Sequence, residues 1–196
     1  MMIDTNRDIQ AATRAIEEMA NATDLSDLKT AWESFLFRVE RSWERTERFV
    51  QKLPGGAAQS WLRANAKLRR ADPLLQYLKQ ARNAETHTIA STIESDQIIS
   101  ISDKFGRPFS VKDFKVFIDG NSLVLDLNSL DIGIDWVGNV EPATPKLQRI
   151  LVRGKKYDPP VSHLGNRIGS AHPVFVATLG LNFYKGAYAA IEPIPT

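Results

Sequence analysis

Apolar residues follow two rhythms along this chain, and the change between them comes near residue 93. Upstream, the spacing is three and four. Ile9, Ala12, Ile16 and Met19 form one face of a first helix, and Asn21 to Asp24 offers a capping segment after it. Leu28, Trp32, Phe35, Val39, Trp43, Val50 and Leu53 keep the rhythm for about seven turns of a second helix. Leu53-Pro54-Gly55-Gly56 stops it, because proline cannot continue a helix and glycine permits the turn. A third helix is predicted from about Ala57 to Arg70, carrying Trp61, Leu62 and Leu68. Asp72-Pro73 then pairs an N-cap residue with a first-turn proline, and a fourth helix runs to about Ala90.

From Thr92 onward the pattern is one of short strands and turns. Gln97–Ser102, Phe114–Ile118, Ser122–Leu127, Ile132–Val137 and Gln148–Val152 are β-rich, and Asp119-Gly120-Asn121 is a hairpin signal. Gly154 to Gly169 reads as a long Gly- and Pro-containing loop. Pro173 opens a closing helix with Val176, Leu179, Phe183 and Ala187 on one face, although Gly180 and Gly186 lower its propensity. The fold class is therefore α+β. Residues 1–92 form a four-helix bundle, and residues 93–196 carry a small antiparallel β-sheet and a C-terminal helix. Each part is short for independent folding, so the second is expected to pack on the first.

Composition changes this picture by exclusion. Apolar residues make up 43% and charged residues 24%, ordinary for a globular protein. There is no cysteine, so disulfides, thiolate zinc sites and cysteine nucleophiles drop out. His87, His163 and His172 are too few for an imidazole metal cluster, and Asp126, Asp131 and Asp135 do not match a calcium loop. No metal or cofactor is expected. No apolar run approaches the ~20 residues of a membrane span, and Met1 to Asp8 lacks a signal pattern. The cytoplasm is the simplest compartment, with no membrane partner. A net charge of +2 gives no global nucleic-acid signature. The Gly-rich dinucleotide and phosphate-loop motifs and the Gly-x-Ser-x-Gly elbow are absent.

Chemistry concentrates in the fourth helix, at Arg82-Asn83-Ala84-Glu85-Thr86-His87. An Arg, a polar residue after it and a His a few places on resemble the motif of the HEPN superfamily (higher eukaryotes and prokaryotes nucleotide-binding). Its members are helical bundles with the motif on a late helix, a layout that residues 1–92 resemble and the C-terminal half does not share. The resemblance implies metal-independent RNA cleavage at a homodimer interface. His87 would be general acid or base, Arg82 would stabilise the phosphorane charge, and Asn83 would orient the site. Some nuclease-toxin branches carry a Tyr two places after the His. This chain has Ile89, which argues against regulation by nucleotidylation there. Histidine titrates near neutral pH and guanidinium holds phosphate oxygens bidentately, so the residue types suit the reaction. Residues five apart on a helix lie about 140° apart, so Arg82 and His87 do not share a tight face, whereas a second copy across a two-fold axis completes a site. The bland alternative has Arg82 beside the bundle core or paired with Asp72 or Glu85, and His87 on the surface.

A second feature is a basic stripe. Arg38, Arg41, Arg45, Arg48 and Lys52 recur at spacings of 3, 4, 3 and 4 along the second helix, a cationic face able to track a phosphate backbone. Arg63, Lys67 and Arg70 repeat it on the third. Glu40, Glu44 and Glu47 alongside offer the ordinary alternative of a salt-bridged, solvated face. Trp32, Trp43 and Trp61 read as packing. His163 lies in the Gly-rich loop without a nucleophile partner. Three readings follow. The first is a homodimeric endoribonuclease of the toxin or defence type, leaving 2′,3′-cyclic phosphate and 5′-OH ends, with RNA and an antitoxin or other protein as partners. The second is a non-catalytic dimerising interaction module with a degenerate motif. The third is a small-molecule enzyme using the Gly154–Gly169 loop.

Overall fold

A computed structural model describes the backbone of residues 2–87, 92–103, 116–119, 122–125 and 136–191, and the side chains of 5–85, 92–94 and 144–191. Five helices are described: α1 (Met2–Asn21), α2 (Leu25–Val50), α3 (Gly56–Ala71), α4 (Pro73–His87) and α5 (Pro173–Ala189). The chain falls into two units, Met1–Ser95 with Pro145–Thr196, and Asp96–Thr144. The expected division at residues 92 and 93 groups the chain differently, because α5 and two C-terminal hairpins belong with the N-terminal helices.

The first unit is built on α1 and α2. Asp24 caps α2, its carboxylate accepting from the Asp27 amide at 2.8 Å. Thr5 meets Thr46, and Asp8 meets Arg45, so the start of α1 lies against the end of α2 and the pair is antiparallel. Trp32, Phe35, Leu36 and Val39 are buried on the face that the three-four rhythm predicted. Each such side chain contributes about 1.5–3 kcal/mol by leaving water. Trp43 and Trp61 stack at 5.9 Å between ring centres, which fits their reading as packing. Helix α5 joins this core through Val176, Ala177, Leu181 and Tyr184. A Cβ at Gly180 would stand 2.4 Å from Leu78 Cδ1, so glycine there lets α5 come close to α4.

Helix α3 places an arginine in the core. Leu68 is exposed, and its neighbour Arg69 is buried instead. The Arg69 guanidinium donates to Tyr184 Oη at 3.0 Å and to Glu40 Oε2 at 2.5 Å, and lies 4.4 Å over the Trp43 ring. A satisfied, stacked guanidinium can occupy a core position that periodicity assigns to an aliphatic side chain.

The Gly154–Gly169 stretch is also not a plain loop. β5 (Ile150–Val152) and β6 (Lys155–Tyr157) form one antiparallel hairpin, and β7 (Ser162–His163) and β8 (Asn166–Arg167) form another. Each turns through two successive residues with positive φ, Arg153 (50°) with Gly154 (77°) and Leu164 (48°) with Gly165 (82°). Such turns match the twist of paired strands, and a glycine in each supplies half the requirement.

In the second unit, β2 (Val116–Asp119) and β3 (Ser122–Leu125) pair antiparallel with Asp119 opposite Ser122, at the expected hairpin signal. β1 (Ile93–Asp103) pairs with β4 (Trp136–Leu147). Among the described residues the strands form four two-stranded pieces, and the fold is α+β and mainly helical. Of the expected strands, residues 114–115, 126–127 and 132–135 lie outside the described residues, as do Asp126, Asp131 and Asp135. No helix among the described residues is long and apolar enough to cross a membrane.

Candidate functional site

The motif helix α4 is held at both ends by carboxylates. At its start, Asp72 accepts from the amides of Leu75 at 3.0 Å and Leu164 at 2.7 Å, and its Oδ1 is 2.9 Å from His163 Nδ1. Asp72 therefore caps α4 and pins the β7–β8 hairpin to it. His163 is thereby assigned a structural partner that lies far away in sequence. At the other end, Glu85 accepts from the Thr92 amide at 3.0 Å and the Thr92 hydroxyl at 2.6 Å. The same hydroxyl accepts from Trp32 Nε1 at 2.8 Å. Glu85 thus fastens the chain that re-enters after α4, two positions before His87. Nearby on α2, burial and then the proximity of Glu85 push the Glu33 carboxyl above its ordinary range, against the opposing pull of Lys29.

These contacts anchor both ends of α4. His87 is the last residue of α4, and its side chain lies outside the described residues, as do those of Thr86 and Ile89. Arg82 and Asn83 are half-buried, with an Arg82 guanidinium nitrogen 3.5 Å from Asn83 Oδ1. Asn83 in turn donates to Gln80 at 3.2 Å. Asp72 and Glu85, the expected structural partners of Arg82, make contacts with His163 and Thr92.

The basic stripe divides into parts with different surroundings. Asp8 of α1 is buried and draws in three of its arginines, with Arg45 at 2.8 Å, Arg38 at 3.5 Å and Arg41 at 3.7 Å. Among the described side chains, one carboxylate is thus shared by three guanidinium groups. Arg48 pairs with Glu44 at 3.7 Å, an exposed contact of small energetic value. Lys52 lies beyond the last residue of α2, Val50, and is exposed. Arg41, Arg45 and Arg48 then line one groove of about 290 Å³ together with Arg82, Phe37 and Glu44. The α4 motif and the middle of the stripe therefore meet, while Arg38 and Lys52 do not line that groove.

Phe37 and Asp8 are the two residues of this site that periodicity overlooked. Phe37 is 47% exposed, with the Arg38 and Arg41 guanidinium groups each 5.8 Å from its ring centre. Its signal in the sequence was an aromatic off the buried stripe and next to Arg38. Asp8 gave no such signal, since its role depends on the antiparallel pairing of α1 with α2. The groove joins an exposed aromatic ring to four guanidinium groups, the combination that holds single-stranded nucleic acid by stacking and charge. Among the described residues, no group of three His, Asp or Glu side chains is placed to hold a metal ion. Compared with models of known families, with curated proteins and with solved structures, the chain matches none.

Proposed function

We propose that the chain is a homodimeric, metal-independent endoribonuclease of the toxin or defence type. The observation that supports it is the shared groove of Arg82 with Arg41, Arg45 and Arg48. The two features that pointed to RNA from the sequence were separate there and occupy one surface in the fold. In the reaction a base removes the 2′-OH proton, O2′ attacks phosphorus, and the P–O5′ bond breaks. The O5′ leaving group takes up a proton, leaving a 2′,3′-cyclic phosphate and a 5′-OH end. His87 serves as the acid or base, the ordinary titration of histidine near neutrality suiting either half. Arg82 holds the equatorial phosphoryl oxygens as charge accumulates on them, and a guanidinium keeps its charge throughout. Asn83 orients Arg82 through their contact. Phe37 and the stripe arginines hold the strand. A second copy supplies the partner His87, since helical geometry separates Arg82 and His87 within one chain.

The test is cleavage of mixed cellular RNA by wild type, His87→Ala and Arg82→Ala, with and without EDTA. Wild type is expected to cut in EDTA and leave cyclic-phosphate ends, and both variants to lose activity by about a hundredfold or more. Cutting by His87→Ala at the wild-type rate overturns the assignment.

The second reading, a non-catalytic interaction module, is favoured by one observation. Arg38, Arg41 and Arg45 all converge on buried Asp8, which makes part of the stripe a clasp between α1 and α2. An intact, dimeric protein that neither binds nor cuts RNA supports it.

A further inference from the structure

Asn83, in contact with Arg82, also lines a second and wider groove of about 890 Å³ between α4 and the β5–β6 hairpin. Lys79 of α4 and Arg153 and Lys155 of the hairpin stand around it, and among the described residues no Asp or Glu lines it. None of these three cations is ion-paired among the described residues. The nearest acid along the hairpin, Asp158, is taken by Arg149. Lys155 lies 5.1 Å over the ring of Tyr157, which also lines the groove.

The hairpin turn adds an independent observation. Arg153 takes φ 50° at its first turn position, where Asn, Asp or Gly is at ease and an arginine is uncommon. Backbone strain of this kind gathers at binding sites. Here it sets a long cationic side chain at the tip of a tight hairpin beside α4. In the first groove, Asp8 and Glu44 offset part of the charge, whereas in this one no described carboxylate does.

We propose that this groove is the second half of a continuous RNA track. It binds the phosphodiester backbone of a single strand through Lys79, Arg153 and Lys155 and leads it past Asn83 to Arg82. The inference rests on the ribonuclease reading for the identity of the ligand, and adds a binding segment that the motif does not contain. A lipid surface is flat and meets convex faces, whereas these cations stand on the walls of a groove, which suits a strand.

The experiment uses the full chain carrying His87→Ala, so that bound RNA stays uncut. Binding of a fluorescein-labelled single-stranded RNA is followed by anisotropy across a sodium chloride series. This parent is compared with Lys79→Gln/Arg153→Gln/Lys155→Gln and, separately, with Arg45→Gln/Arg82→Gln. The three substituted residues of the triple variant are exposed or half-buried, and circular dichroism checks the fold. The triple variant is expected to bind more weakly and to lower the slope of log K against log salt by about 2, at ~0.7 for each phosphate no longer neutralised. An unchanged slope in the triple variant, with a lowered one in Arg45→Gln/Arg82→Gln, overturns the track and leaves the ribonuclease reading standing. No RNA binding by the parent overturns both. Capture of phosphatidylserine vesicles, or of a polyglutamate peptide, with equal or greater affinity than RNA overturns the choice of ligand and the inference with it.

Discussion

Arg69→Met tests whether the core is organised around a buried charge. Arg69 and Glu40 have side chains only 5% and 12% exposed, and they meet at 2.5 Å. Arg69 also donates to Tyr184 Oη at 3.0 Å and stacks on Trp43. Burial works against its charge, yet Tyr184 and Glu40 outweigh that and push the guanidinium pKa up. Methionine keeps much of the volume but leaves Glu40 unpaired and Tyr184 without its donor. Removing one partner of a buried pair costs about 3–5 kcal/mol. For a chain of this size each kcal/mol moves Tm by about 2–4 °C, so a fall of about 6–20 °C is expected. Arg69→Met/Glu40→Leu removes both charges and, at similar volume, is expected to recover most of the loss. Arg69→Lys is not expected to rescue, because an ammonium has neither the fork nor the flat face. Urea unfolding of wild type and the three variants measures these differences. Arg69→Met within about 1 kcal/mol of wild type refutes the reasoning, as does a double variant no more stable than the single one.

Three further outcomes are expected. Asp8→Asn releases Arg38, Arg41 and Arg45 from their shared carboxylate. It is expected to lower stability by about 1–2 kcal/mol, a reduced figure because the arginines are about a third exposed, while tightening RNA binding, read by urea melts and anisotropy. Gly180→Ala sets a Cβ against Leu78 where α5 meets α4 and is expected to cost about 1–3 kcal/mol in a urea melt despite alanine's better helix propensity; a gain in stability refutes the close approach. Burial raises the pKa values of Tyr77, Tyr184 and Tyr188, so the unfolded chain ionises them first. Their contribution is full below the unfolded value of 10.0 and is lost as pH rises toward the folded values. Absorbance at 295 nm, a wavelength that reports tyrosinate, is expected to show these tyrosines ionising together with loss of structure.

The parts of the fold that were legible are those fixed by local chemistry. Asp24 caps α2, Asp72 precedes Pro73, and Trp32, Phe35 and Val39 face inward, all at spacings that one helix dictates. What was not legible depends on partners distant in sequence. Arg69 lies in the core because Glu40, Trp43 and Tyr184 converge on it from two other helices. Gly180 looks like a weak point in a helix until Leu78 is seen against it. His163 looked idle in a loop because Asp72, its partner, is 91 residues away. The Gly154–Gly169 stretch reads as a loop because Arg153 and Leu164 are residue types that seldom take positive φ.

The same distinction bears on the candidate site. A stripe at spacings of three and four has two physical explanations, a solvated face and a phosphate track, and the helix alone cannot separate them. The neighbours of each arginine differ. Arg38 is turned to Asp8 and does not line the groove, and Arg48 shares its charge with exposed Glu44. Arg41 and Arg45 both touch Asp8 and line the groove with Arg82, so one carboxylate positions two cations without cancelling them. A guanidinium carries five N–H donors in a fixed fork, so a single carboxylate edge is enough to orient it. Structural and functional accounts of these arginines are therefore compatible. The clasp between α1 and α2 sets the geometry of Arg41 and Arg45, and under the proposed function these two and Arg82 across the groove are the groups that meet a phosphate.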